Sequence, residues 1–343
     1  MAAHWQQSGR GAKNQPDDWL PIPQVQIASP KRTAPAEQTT QKRISKTTRI
    51  PRKAKTVTAK AMSVLGSKVN IGTWNVRTLQ TDGNWEILMD EAKRFQIDIL
   101  GLCETHLIGK DTLLTKDNYT ILLSNRSDGM RREGVGIMIS QEMIHCLESY
   151  DTVNSRLMTA KLKMKEGTLN IIQVYAPTSS YSEEDSDAFY DTLQLHIQKI
   201  PKKESLIIMG DFNAKIGTDH DAWTPTIGKY GLGVVNSRGE KLLEFCTLHK
   251  LAICNTFFQH KVCRRATWIS PDGRYRNQID FIITQLDNLN TFQNCRSYCS
   301  ADISSDHNLV LAKVKITPKP KKRLKKMPKK FDVSRFNDPV IAE

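Results

Sequence analysis

Leu206-Ile207-Ile208-Met209-Gly210-Asp211-Phe212-Asn213-Ala214 joins a short β-branched and apolar run to a carboxylate and a carboxamide. Such a run reads as a strand buried on both faces. Polar groups released at the C-terminal tip of a buried strand are a common way to build a metal-assisted phosphate site. Alone, Asp-Phe-Asn is as easily a turn. The stretch gains weight because other apolar runs in the chain end in the same way.

Asn75 follows Gly72-Thr73-Trp74, and Glu104 ends the run Ile97–Cys103. Tyr175 ends Ile171-Ile172-Gln173-Val174, ahead of Ala176-Pro177. Asp280 lies within Gln278–Ile282, and Asp306-His307 precede Asn308-Leu309-Val310. Each has a plain structural alternative: Glu104 as a cap, Tyr175 as a core aromatic, Ser304–His307 as a turn or N-cap. Gly134-x-Gly136 needs no more than a tight turn, and His106 and His145 read as incidental. The functional reading rests on the set, since the coincidence would have to repeat at five strand ends.

Between these points the spacing predicts strands over Val69–Trp74, Ile97–Cys103, Tyr119–Leu123, Gly134–Ser140, Leu157–Met164, Leu169–Tyr175, Leu206–Met209, Leu251–Thr256, Ala266–Ile269, Gln278–Thr284 and Leu309–Ile316. Apolar residues at 85, 88, 92 and 95 predict a helix over Trp85–Phe95. Further helices are expected over Ser182–Ile200, stopped by Pro201, and Gly239–His249, capped near Asn236 and Ser237. Hairpin-linked strands covered by helices point to one α+β domain of mixed sheets over 67–316.

The donors are oxygens and one imidazole, which suits a hard cation, Mg²⁺ or Mn²⁺, in contact with a phosphate. No HExxH or Cys/His cluster suggests zinc. A phosphodiester needs a Lewis acid, a water nucleophile and donors for its non-bridging oxygens. Glu104 is the leading metal ligand, with Asn75 beside it and Asp306 as a further candidate. Asp211 would orient or deprotonate water and Asn213 would hold an oxygen. His307 paired with Asp280 would donate to phosphate, as would the Tyr175 phenol.

The 343 residues carry a net charge of +14, unevenly spread. Residues 1–66 hold 12 Lys or Arg against 3 acids and 313–330 hold 10 against none, so the interior of the chain is mildly acidic. Basic tails attract polyanions by counterion release. Residues 1–66, polar and aperiodic, read as a disordered tail and 317–343 as a second basic tail, although a merely solubilising role fits both. The run 319–330 (KPKKRLKKMPKK) resembles a nuclear-import patch, so the expected location is the nucleus, with the cytosol also compatible. Seven cysteines without a CxxC pair read as reduced core residues, and no apolar run is long enough for a membrane span. DNA is the expected partner; oligomeric state is not legible. Arg126, Arg131 and Arg132 in the loop 124–133, and Trp268 just after Arg264 and Arg265, are candidate DNA contacts, with solvated surface as the alternative.

In order, Thr-Trp-Asn75, Glu104-Thr105-His106, Val-Tyr175-Ala-Pro, Gly-Asp211-Phe-Asn213-Ala, Gln-Ile-Asp280 and Ser-Asp306-His307 resemble the endonuclease/exonuclease/phosphatase superfamily. Asn236-Ser-Arg238-Gly-Glu-Lys-Leu-Leu-Glu-Phe-Cys246 and Arg265-Ala-Thr267-Trp268-Ile-Ser-Pro-Asp-Gly-Arg274 are similar to its LINE-type retrotransposon branch. The resemblance, over about 68–316, implies a four-layer α/β sandwich with two central sheets flanked by helices. It also implies divalent-metal-dependent hydrolysis of DNA to a 3′-hydroxyl nick. A nucleic-acid-binding scaffold without catalysis and a phosphatase of the same fold are the other functions compatible with the residues. One departure stands out. Abasic-site members carry an acid two positions after the first Asn, where this chain has Arg77, so strong abasic-site activity is not expected. Lys330-Phe331-Asp332 resembles the linker ahead of a reverse transcriptase, and that enzyme is not expected within these 343 residues.

Overall fold

The computed structural model describes residues 68–316; the tails expected over 1–66 and 317–343 lie outside the described residues. In chain order the strands are β1 (Lys68–Asn75), β2 (Ile99–Cys103), β3 (Lys110–Lys116), β4 (Tyr119–Ser124), β5 (Val135–Ser140), β6 (Leu147–Asn154), β7 (Leu157–Lys163), β8 (Thr168–Tyr175), β9 (Ser205–Asp211), β10 (Leu251–Ile253), β11 (Trp268–Ile269), β12 (Arg276–Asn277), β13 (Asp280–Gln285), β14 (Phe292–Tyr298) and β15 (Leu309–Lys315). The α-helices are α1 (Asn84–Arg94), α2 (Glu183–Gln198) and α3 (Ser237–Leu248). A seven-stranded sheet runs β14-β15-β1-β2-β5-β4-β3 and a six-stranded sheet runs β10-β13-β9-β8-β7-β6, with β11 and β12 a separate ribbon. Both large sheets are mixed, with β1–β2 and β8–β9 parallel and the other pairs antiparallel.

Strand alternation sorts the apolar side chains into three layers. Val69, Ile71 and Ile99 of one sheet meet Ile171, Ile207 and Met209 of the other in the central layer. The opposite parity of β1 and β2, Trp74, Leu100 and Leu102, packs under α1 through Leu88, Met89 and Ala92. Leu206 and Ile208 of β9 pack under Phe189 and Leu193 of α2 and Leu242 and Leu243 of α3. Helix, sheet, sheet and helices make four layers, as the sequence resemblance implies.

The helix starts follow their sequence. Ser182 accepts from the Asp185 N–H at 3.1 Å while the Asp185 carboxylate accepts from the Ser182 N–H at 3.3 Å, a reciprocal cap on α2. Asn236 caps α3 by accepting from the Gly239 N–H at 2.9 Å. Gly210 sits at φ 150°, and a Cβ there would overlap the Val174 carbonyl of β8, so glycine permits the close β8–β9 contact next to Asp211.

Three expected strands are corrected. The run expected over Leu251–Thr256 is a strand only to Ile253 and then turns as a 3₁₀ helix, Cys254–Thr256. Ala266–Ile269 shortens to Trp268–Ile269 because only these two residues pair, with Asn277 and Arg276 in the small ribbon. Gln278–Thr284 begins pairing at Asp280 and extends to Gln285.

Candidate active site

The polar groups at the strand tips continue the inward parity of their strands. On β9, Ile207 and Met209 face the central layer and Asp211 is next in phase; on β8, Leu169 and Ile171 lead to Tyr175; on β1, Val69 and Ile71 lead to Asn75. Register then sets neighbours. Asp211 is the direct partner of Tyr175 across β8–β9 and of Asp280 across β9–β13, and Asn75 is the partner of Cys103, which precedes Glu104. Asn75, Glu104 and His307 come from the seven-stranded sheet or its ends, and Tyr175, Asp211 and Asp280 from the six-stranded one.

The Asn75 side chain joins the two halves. Its Nδ2 donates to Glu104 Oε1 at 2.8 Å and to Asp211 Oδ2 at 3.0 Å, and lies 3.5 Å from His307 Nε2. Its Oδ1 accepts from the Arg77 N–H at 3.0 Å. Asn75, expected as a metal ligand, therefore turns a donor toward the acids and spaces them. His307 Nδ1 lies 3.0 Å from Asp280 Oδ2, and His307 Nε2 lies 3.9 Å from Asp211 Oδ2. Asn213 takes φ 49°, its N–H donates to Asp211 Oδ1 at 2.9 Å, and its Nδ2 donates to the Ala176 carbonyl at 2.9 Å.

Burial and charge set the protonation states. Burial alone would raise the Glu104 carboxyl, but the contacts of His106, Asn75 and Tyr175 outweigh it and hold it at about 2, so Glu104 is an anion at neutral pH. Burial first, then the Asp280 charge, pushes Asp211 up to about 7 against the opposing pull of His307. Burial pulls the His307 imidazole down, yet Asp280, then Asp211 and Asp306, push it up to about 10. Burial and the Glu104 and Asp211 charges raise the Tyr175 phenol well above its ordinary value, leaving it a neutral donor.

Ligand atoms of Asp211, Asp280 and His307 lie within 4.8 Å of one another, a buried trio with the composition of a metal group. An imidazolium has no free lone pair, so His307 in this state balances the two acids rather than ligating. The group best suited to a hard cation is the Glu104 carboxylate, anionic and about one-fifth exposed.

Asp306, the further candidate ligand, is contacted by Trp268 and Arg77. Its Oδ2 accepts from Trp268 Nε1 at 2.9 Å, and its Oδ1 faces the Arg77 guanidinium at 3.6 Å. Trp268, expected to contact DNA, thus orients an acid at the site, and β11 reaches His307 through an isolated β-bridge. Arg126 is pinned by Asp128 and Glu133, which leaves less of its charge for a phosphate. Arg131 donates to Gln80 Oε1 at 2.6 Å and Arg132 contacts Met130 Sδ at 3.3 Å; both are exposed.

Three contributors escaped the sequence reading. His106, set aside as incidental, places Nε2 3.4 Å from Glu104 Oε2. Arg156 stacks over the rings of Tyr175 at 5.1 Å and Tyr181 at 4.6 Å and donates to Glu133 at 2.7 Å, beside a cleft of about 370 Å³. Gln173 lies fully buried between the sheets and donates to Thr73 Oγ1 at 3.3 Å and toward Cys103 Sγ at 3.0 Å. The inward parity of Gln173 on β8 was the available signal, since a polar residue in that phase must find a partner across the layer.

Residues 169–311 match the family model described as endonuclease-reverse transcriptase. Craniofacial development protein 2 of Bos taurus is 38% identical over 254 residues, covering 73% of this chain and 42% of that protein. The Tragulus javanicus protein of the same name is 37% identical over 254 residues, covering 73% and 43%. The chain thus spans less than half the length of these curated relatives. Among solved structures, the endonuclease domain of TRAS1, a telomere-specific non-LTR retrotransposon, aligns with a TM-score of 0.53 at 17% identity over 73% of this chain and 99% of that one. The AP endonuclease LMAP from Leishmania major aligns with a TM-score of 0.58 at 14% identity over 73% and 88%. By architecture, residues 68–316 have a DNase I-like fold, and residues 169–311 within them are similar to the endonuclease-reverse transcriptase family.

Proposed function

We propose that the chain is a divalent-metal-dependent phosphodiesterase, a retrotransposon-derived endonuclease that nicks DNA to leave a 3′-hydroxyl. The observation that carries this reading is the convergence of Glu104, Asp211 and His307 on the Asn75 amide, in protonation states that suit hydrolysis. Asp211, raised to about 7, can take a proton from water close to neutral pH. Its second oxygen is fixed by the Asn213 N–H, so the accepting lone pair has a defined direction. The imidazolium of His307 and the phenol of Tyr175 are donors for non-bridging phosphate oxygens. A cation bound at Glu104 supplies Lewis-acid neutralisation of the charge that develops on phosphorus oxygens. The water oxygen bonds to phosphorus, the bond to the 3′-oxygen breaks, and that oxygen leaves as a hydroxyl after protonation, with a 5′-phosphate on the other fragment.

DNA as substrate is supported by the basic tails and by the activities named for TRAS1 and LMAP. Nuclear location belongs to the same proposal, through the import-like run 319–330. The test is nicking of supercoiled plasmid in Mg²⁺ or Mn²⁺, followed by polymerase extension from the nick. EDTA should stop cleavage and a zinc-selective chelator should spare it. No nicking in either metal sinks the reading, and phosphate release from 3′-phosphate ends without nicking moves the chain to the phosphatases.

A further inference from the structure

We propose that His106 is a second, nitrogen ligand beside Glu104, so that the site prefers a nitrogen-accepting divalent ion, Mn²⁺ over Mg²⁺. The inference rests on the reading above that Glu104 holds the catalytic cation. Immediately after β2 the backbone turns left-handed at Glu104 (φ 51°) and again at His106 (φ 54°). Non-glycine residues keep this conformation only where the surroundings impose it. Here they do. The Thr105 hydroxyl donates to Asn125 Oδ1 at 2.5 Å, the Thr105 N–H donates to the Gly134 carbonyl at 3.2 Å, and the His106 N–H donates to the Glu133 carbonyl at 3.0 Å. Gln80 Nε2 donates to the His106 carbonyl. Thr105 is thereby buried, and Glu104 and His106 are left with side chains 20% and 24% exposed, pointing at one another.

Their separation is informative. At 3.4 Å, His106 Nε2 and Glu104 Oε2 are farther apart than a charge-assisted hydrogen bond of about 2.7–2.9 Å requires. Two donors on one cation, with bonds of about 2.0–2.2 Å meeting at roughly 90–110°, stand about 2.8–3.6 Å apart. The observed spacing falls in that window. Glu104 Oε1 is engaged by Asn75, which leaves Oε2, the oxygen facing the imidazole, as the one to ligate. Imidazole bonds Mn²⁺ and the later first-row ions in preference to Mg²⁺, which takes oxygen and water.

Metal-stripped full-length protein titrated with Mn²⁺ and Mg²⁺, with Mn²⁺ followed by electron spin echo spectroscopy, tests this. Wild type should show an imidazole ¹⁴N coupling on Mn²⁺ and bind Mn²⁺ about tenfold or more tighter than Mg²⁺. His106→Ala and His106→Gln should lose that coupling and about tenfold of Mn²⁺ affinity, with Mg²⁺ affinity within about twofold. A wild-type spectrum without imidazole nitrogen overturns the proposal without any variant having to fold. A coupling that survives in His106→Ala, or equal loss of both metals, also overturns it. Plasmid nicking by wild type is scored separately: nitrogen-bound Mn²⁺ without cleavage keeps this inference and removes the nuclease.

Discussion

Asp211 and Asp280 stand directly opposite each other across the β9–β13 pair, both about 1% exposed, with the His307 imidazolium bridging toward each. Two buried carboxylates at facing positions are tolerated only with a compensating cation. The arrangement keeps one of them, Asp211, near the midpoint of its titration at neutral pH.

Asp211→Asn removes the proton acceptor while keeping shape and relieving a buried charge. Plasmid nicking should fall about 10²–10⁴-fold with an unchanged circular dichroism spectrum. Nicking that persists within threefold would take Asp211 out of the chemistry.

The alkaline stability of the metal-free protein should depend on His307. Its imidazole is raised in the fold from 6.5 to about 10, so the stabilisation it brings is complete below about 6.5 and is lost as pH climbs through about 10. Thermal melts between pH 6 and 10.5 should therefore decline steeply at the alkaline end. His307→Asn should melt lower at pH 7, by roughly 3–5 kcal/mol of stability, and show a flatter alkaline limb. Parallel limbs in the two proteins would contradict the assignment.

Arg77 is the half-exposed cation at the rim, 56% accessible and 3.6 Å from Asp306. Arg77→Ala should weaken DNA binding and reduce the slope of log K against log salt by about one. Arg77→Lys should restore most of the slope. An unchanged slope in Arg77→Ala would place this residue outside the interface.

The basic run that begins at Lys313 starts inside β15, so a truncation that spares the fold begins after Ile316. Residues 317–330 still hold eight Lys or Arg. Removing 317–343 should lower DNA affinity and flatten its salt dependence by several units while low-salt cleavage survives. Loss of cleavage at low salt would show that the tail belongs to the active unit.

Much of the architecture was legible because the interior strands are apolar on both faces. Ile99–Cys103, Tyr119–Ser124 and Val135–Ser140 are buried at every position and were found with little error. The strands that escaped, β3, β6, β12 and β14, are edge or near-solvent strands. Leu147–Asn154 is mostly exposed and Phe292–Tyr298 mixes buried with half-buried positions, so neither shows a hydrophobic run. At the site, residues at strand ends stood out by contrast with the runs before them. His106 and Arg156 did not, because their contacts depend on a left-handed loop and a ring stack that no local pattern encodes. Asp306 was found, but its contacts with Trp268 and Arg77 join segments far apart in the chain.

The division of the polar groups between the two sheets makes catalysis a gauge of how tightly the sandwich is closed. Gln173, through Thr73 and Cys103, is a polar rivet between the two sheets. A slab that swells by a fraction of an ångström would part Asn75 from Asp211 while every strand kept its own ladder. On warming, nicking should fail several degrees before the far-ultraviolet signal, and Gln173→Ala should widen that gap.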